Sequence, residues 1–179
     1  MLELPAPGRP IFTFAASGGS STLVLAREGR VLQNAPPDET LEALAGVRLR
    51  PDELRAIVTG CGFGAAEPSN GRSFDRARGA VDVAGGTAYL DQIQGRWRLS
   101  GAAKGPLEVR YADFVGELPS TIRLRTPAAD SRQRTDLTLR TSQVDIDQAI
   151  PPQAFTPEIP AGAKPLTLEE LRQAGPLGR

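Results

Sequence analysis

The sequence predicts a mainly β fold of the α+β class, built on an antiparallel sheet with one apolar and one charged face. Three observations predict it. Apolar and polar residues alternate through run after run of the second half of the chain. Only three short segments have helical periodicity, and Gly-rich links of turn length separate the runs. The alternation is clearest in Pro106–Phe114, Thr121–Arg125, Thr135–Thr141 and Gln143–Asp147. There Leu107, Val109 and Tyr111 oppose Glu108 and Arg110, and Ile122 and Leu124 oppose Arg123 and Arg125. Leu137 and Leu139 likewise oppose Thr138 and Arg140, and Val144 and Ile146 oppose Asp145 and Asp147. Successive strand side chains point to opposite faces, so such runs need a cover for their apolar side.

From the start of the chain, Pro10–Ala16 and Ser21–Ala26 read as strands joined by a Ser17-Gly18-Gly19-Ser20 hairpin turn, followed by a short strand over Arg30–Gln33. Pro36-Pro37-Asp38 opens a helix with Leu41, Leu44 and Ala45 on one face and Gly46 as its stop. Pro51-Asp52-Glu53 opens a second, with Leu54, Ile57 and Val58 on one face and Gly60 as its stop. Both are about two turns long, so each depends on packing against a partner. Residues Cys61 to Phe74 read as a polar loop. Strands resume at Ala80–Val83, Thr87–Gln94 and Arg96–Ser100, linked by turns at Gly85-Gly86, Gly95 and Gly101–Gly105. Beyond the last strand, Ile150–Pro160 is extended because prolines exclude the residues before them from the helical region. Thr167 and Glu170 have capping-box spacing and start a terminal helix carrying Leu168 and Leu171. No internal repeat or change of composition divides the chain. A single domain over 1–179 is expected, with 150–179 as its extended tail and terminal helix.

Composition narrows the chemistry. Lys plus Arg equals Asp plus Glu at 21 each, so no global charge draws the chain to nucleic acid or an anionic membrane. Histidine is absent, which removes the usual general base, the commonest metal ligand and the Ser-His and Cys-His pairs. The single cysteine, Cys61, ends a Val58-Thr59-Gly60-Cys61 run of lipobox form. A lipobox needs an apolar export signal before it, and Asp52, Glu53 and Arg55 stand there instead. Asp145 and Asp147 alternate with Val144 and Ile146 as a solvated face does, and Asp91, Asp113 and Asp136 are dispersed. The double glycines are too short for a phosphate loop. Arg96, Arg98, Arg110, Arg123, Arg125 and Arg140 share the polar side, but Trp97 and Tyr111 alternate away from them, so a stacking platform for nucleic acid is not expected. The chain therefore reads as non-enzymatic, with no metal and no cofactor.

The apolar face has a functional edge. Three short helices are small for a sheet of eight or nine strands, so a gap between helices and sheet is expected, with Trp97, Leu99, Val109, Tyr111 and Leu124 contacting an apolar ligand.

The order Tyr111-Ala112-Asp113-Phe114, then Leu118-Pro119, the Ile122-Arg-Leu strand and the tail Ile150-Pro-Pro-Gln-Ala-Phe155 through Pro160-Ala-Gly-Ala-Lys-Pro165 resembles the Lol lipoprotein carrier and receptor superfamily of the Gram-negative envelope. That LolA/LolB-like resemblance implies a single open antiparallel half-barrel with short lid helices, in the periplasm or at the outer membrane, holding lipid or lipoprotein acyl chains in its concave face. It also implies an envelope protein partner. Members carry an export signal, an N-terminal helix and several strands before a region like Pro10–Ala16, so relative to the family the chain reads as N-terminally truncated. An unpaired sheet edge left by the missing strands favours self-association. The alternative is an envelope scaffold or interaction module of the same fold with a filled core and no ligand.

Overall fold

The computed structural model describes residues 2–6, 9–64, 67–83, 85–126, 135–142 and 149–174. The described residues are mainly β, with three α-helices and two sheets. A single sheet was expected. Among the described residues, the strands before residue 36 pair with one another and with Lys164–Pro165, those from Ser69 to Arg140 pair among themselves, and no ladder joins the two sets. The residues divide into two compact units, Met1–Pro51 with Asp145–Arg179, and Asp52–Val144.

In the first unit, strands β1 (Leu2–Ala6), β2 (Arg9–Ser17), β3 (Ser20–Leu25) and β4 (Arg30–Ala35) form an antiparallel meander. Gly18 and Gly19 turn the β2–β3 hairpin with positive φ at both positions, as a two-residue turn of matching twist requires. Helix α1 (Pro37–Ala45) buries Leu41, Ala43 and Leu44, and Gly46 closes it in the left-handed region, donating to the Glu42 carbonyl. Phe12, Phe14, Leu23, Val24, Val31 and Leu32 complete this core. The tail is not uniformly extended, since Pro152–Phe155 forms one 3₁₀ turn. Lys164–Pro165 then pairs in parallel with Arg30–Val31 as a two-residue strand, and the Leu166 N–H donates to the Val31 carbonyl. The terminal helix (Leu168–Ala174) opens with a reciprocal capping box: the Thr167 N–H donates to a Glu170 carboxylate oxygen, and the Glu170 N–H to Thr167 Oγ1. Arg30 sits 2.8 Å from the same carboxylate, joining the tail to β4.

The second unit holds α2 (Pro51–Val58) and a seven-stranded antiparallel sheet. In chain order its strands are β5 (Ser69–Ser73), β6 (Arg78–Val83), β7 (Gly86–Ile93), β8 (Arg96–Lys104), β9 (Leu107–Val115), β10 (Leu118–Arg125) and β11 (Asp136–Arg140). Each pairs with its neighbours in sequence and the sheet is not closed into a barrel. Two readings change. The expected loop over Cys61–Phe74 contains β5, an exposed polar edge strand whose lack of alternation hid it. The expected turn at Gly101–Gly105 continues β8 as far as Lys104, and Gly105-Pro106 makes the turn. The expected strand over Gln143–Asp147 lies outside the described residues.

Two consequences are measurable. Gly60 has φ +78°, and a Cβ there would stand 2.8 Å from Pro119 Cδ. Gly60→Ala therefore combines backbone strain with overpacking and should destabilise the protein by about 1–3 kcal/mol in urea unfolding. Gly116→Ala, at positive φ but in open space, should cost less. In the tail, the Thr167 N–H, the Arg30 guanidinium and the Thr167 hydroxyl hold the Glu170 carboxyl down at about 2, against an ordinary 4.5. A folded-state pKa below the unfolded one stabilises above pH 4.5, and that contribution is lost as pH falls towards 2. Protection factors of the terminal-helix amides, taken against the intrinsic exchange rate at each pH, should fall across that window as pH is lowered, and Glu170→Gln should remove the dependence.

Candidate functional site

The two faces of the second unit follow from its register. Val81, Ala88, Ala102, Val109, Leu124 and Leu137 form one row across six strands, with Tyr111, Ile122 and Leu139 in a parallel row. Ala80, Tyr89, Gly101, Arg110, Arg123 and Thr138 form a row on the opposite face. In a regular strand Trp97 and Leu99 would share the Gly101 side. The β7–β8 register shifts between Tyr89 and Leu90, which face Gly101 and Leu99, so Ser100 is an extra residue on β8. That bulge brings Leu99 and Trp97, opposite Leu90 and Gln92, to the apolar face.

Helix α2 and the turn after it cover part of this face. Glu53, on the buried side of α2, is ion-paired with Lys104 at the end of β8, and the Lys104 ammonium lies 6.0 Å from the Phe63 ring centroid. The Gly62 N–H donates to the Tyr111 hydroxyl at 3.0 Å. A Cβ on Gly62 would sit 3.4 Å from Ala102 Cβ and 3.6 Å from Leu99 Cδ2, so the turn rests directly on β8.

The five nominated residues divide accordingly. Val109, Tyr111 and Leu124 are buried together, and Tyr111 is the one fastened to the turn. Leu99 is half-buried at the margin. Trp97 lies beyond it at 50% exposure, its indole 3.9 Å from where a Gly79 Cβ would stand. Leu90, Ala88 and Val81 are also only partly covered. The apolar face thus continues past its helical cover. Burial pushes the Tyr111 phenol up to about 12, against the opposing effect of the Gly62 N–H.

A cleft of about 410 Å³ is lined by Phe74, Arg78, Tyr89, Asp91, Glu108 and Arg110, together with Leu90 of β7, Ser100, Gly101 and Ala102 of β8 and Val109 and Tyr111 of β9. Sequence reasoning missed it. Arg98 also lies 4.4 Å from the Phe114 ring centroid, so arginine and aromatic side chains do meet in this unit. Neither contact is visible in alternation, because β7 and the end of β9 come together only in the fold. Among the described residues, no three Cys, Asp or Glu side chains converge in a metal-binding group, and no helix is long and apolar enough to cross a membrane. Cys61 is exposed, with its thiol turned towards the Thr59 carbonyl.

Tyr111→Phe would leave the Gly62 N–H without its partner and should destabilise the unit by roughly 1–3 kcal/mol. Because the folded pKa of Tyr111 is raised, its contribution is complete below pH 10 and falls away as pH rises through about 12. Alkaline unfolding followed at 295 nm should show this, and the Phe variant should lack that component.

No protein-family model, curated protein or solved structure matches the chain.

Proposed function

We propose that the chain is a non-enzymatic, LolA/LolB-like half-barrel protein of the cell envelope that binds lipid or lipoprotein acyl chains on the apolar face of the second unit. The observation that carries the reading is the incomplete cover of that face. Trp97 is half-exposed and adjoins the partly covered Leu90 and Leu99, in a sheet left open rather than closed. An apolar strip of this kind, continuous with a buried core, suits a flexible hydrocarbon that needs area and no directional partner. Val109, Tyr111 and Leu124 are the inner end of the strip, reached when the turn over Tyr111 gives way. The periplasm or outer membrane is the proposed location, with an envelope protein that delivers or receives the lipid as partner.

A second reading is favoured by one observation. The Gly62–Tyr111 hydrogen bond closes the turn onto a filled core, which suits a scaffold or interaction module that holds no ligand.

The sole tryptophan, Trp97, reports directly on the exposed end. An anthracene-labelled stearate should bind saturably, accept energy from Trp97 and be displaced by unlabelled palmitate. Leu99→Asp should weaken binding by about tenfold or more while the protein stays folded, because a carboxylate there would be desolvated by the chain. Leu124→Arg would place a charge in the core and should unfold the unit, so it does not discriminate. A folded wild-type protein with no saturable stearate binding excludes the carrier reading and leaves the scaffold.

A further inference from the structure

The ladder between β8 and β9 ends early. Its pairs run from Lys104 with Leu107 to Gly101 with Arg110 and stop there. Both strands continue. Arg96–Leu99 stay paired with β7 on one side, and Tyr111–Val115 stay paired with β10 on the other. Their remaining edges face each other across an opening inside the sheet. At the apex the strands are pinched, since a Cβ on Gly101 would stand 2.6 Å from the Val109 carbonyl oxygen. The bulged residue Ser100 adjoins Gly101 on β8. Farther along, Asp113 has φ +52° within β9, and its carbonyl accepts from the Ser120 hydroxyl. A non-glycine residue held in that conformation is uncommon in a strand. Across the opening runs the Arg98 side chain, donating to the Gly116 carbonyl at 3.3 Å and lying over Phe114.

We propose that this opening receives an extended polypeptide segment, which pairs through its backbone with the free edges of Arg96–Ser100 and Tyr111–Val115. Open strand edges present alternating N–H and C=O groups, and another strand matches them. A hydrocarbon chain offers neither donor nor acceptor. The side-chain surroundings specify the segment further. Trp97 and Leu99 stand on one face of the opening, and Tyr89 and Arg110, in one row with the apex residue Gly101, stand on the other. An inserted strand sends alternate side chains to opposite faces. The segment therefore alternates apolar residues towards Trp97 with polar or charged residues towards Arg110 and Glu108. This goes beyond lipid binding: it uses strand edges where the acyl reading uses a face.

The test compares two probes on the intact protein: a fluorescein-labelled, acetylated peptide of alternating valine and threonine, and the same peptide N-methylated at alternate residues. Anisotropy should show saturable binding of the first. The second should bind about tenfold or more weakly, since it has lost alternate backbone donors. Amide exchange in Arg96–Ser100 and Tyr111–Val115 should slow by at least about tenfold on binding. Arg98→Ala, which removes the bridge, should bind the peptide more tightly, and the wild-type comparison stands without it if that variant fails to fold. Absence of saturable binding, equal binding of the N-methylated peptide, or protection confined to the outer edges at Ser69–Ser73 and Asp136–Arg140 overturns the proposal. So does the same protection pattern from labelled stearate, which would assign the opening to lipid. Failure of the peptide alone leaves the stearate result standing.

Discussion

Ser100 is one residue more than the ladder between β7 and β8 can hold, and the surface of the second unit follows from where that extra residue goes. An antiparallel strand absorbs an insertion by bulging, which reverses the facing of everything beyond it and increases the local twist. Without the bulge, Trp97 and Leu99 would share a face with Arg110 and Arg123, and the apolar strip would end at Ala102. With it, the strip gains a large aromatic end. The ladder with β9 ends at the same place, just past the close backbone approach at Gly101. One local irregularity thus extends the apolar face and coincides with the end of that ladder.

The cover supplied by α2 is small for the area it must protect. A helix of eight residues gains little from its own hydrogen bonds, so it is held by attachments to the sheet. Ile57 and Ala56 provide the apolar part, and Glu53 meets Lys104 at the strand end. That ion pair joins a nearly buried carboxylate to a part-exposed ammonium at the end of β8. The glycines at 60 and 62 let the chain descend onto Pro119, Ala102 and Leu99 with no side chain between. The attachments cluster over β8, β9 and β10. Among the described residues, no hydrogen bond or ion pair fastens α2 or its turn to Trp97 or Leu90, which stay partly exposed.

Alternation made most strands of the second unit legible, and the helices were legible from their ends. Pro37 and Gly46 bound α1, Pro51 and Gly60 bound α2, and the Thr167–Glu170 box opens the terminal helix, because capping chemistry is local and needs no tertiary information. What escaped the sequence depends on distant partners. β5 is exposed at every residue and is a strand only because β6 supplies its hydrogen bonds. Lys164-Pro165 is two residues long and exists as a strand only beside Arg30 and Val31. Gly101-Ala-Ala-Lys looks like a turn by composition, yet its small residues suit the place where the α2 turn presses on the sheet. Within the candidate site, the shared facing of Val109, Tyr111 and Leu124 was readable from spacing. The bulge at Ser100, the cleft beneath Tyr89 and the meeting of Arg98 with Phe114 were not, since each needs a register between strands.

The acyl and strand readings make different demands on the same few residues, and the difference is one of directionality. Hydrophobic burial is proportional to area, at about 25 cal/mol per Å², and is indifferent to orientation. Trp97 and Leu99 can therefore serve a hydrocarbon or an apolar side chain equally well, and their exposure alone does not choose between them. Backbone groups do choose. A strand edge shielded from water without a hydrogen-bonding partner costs free energy for every group left unmade, so an acyl chain drawn into the opening would have to leave water at those edges or lose more than it gains. Arg98 meets part of this need in the free protein by offering its guanidinium to the Gly116 carbonyl. A side-chain donor in that place is replaceable by a backbone donor, at little loss, whenever a strand enters. The face thus suits whatever is apolar, whereas the opening beside it suits only what can hydrogen-bond in a regular row.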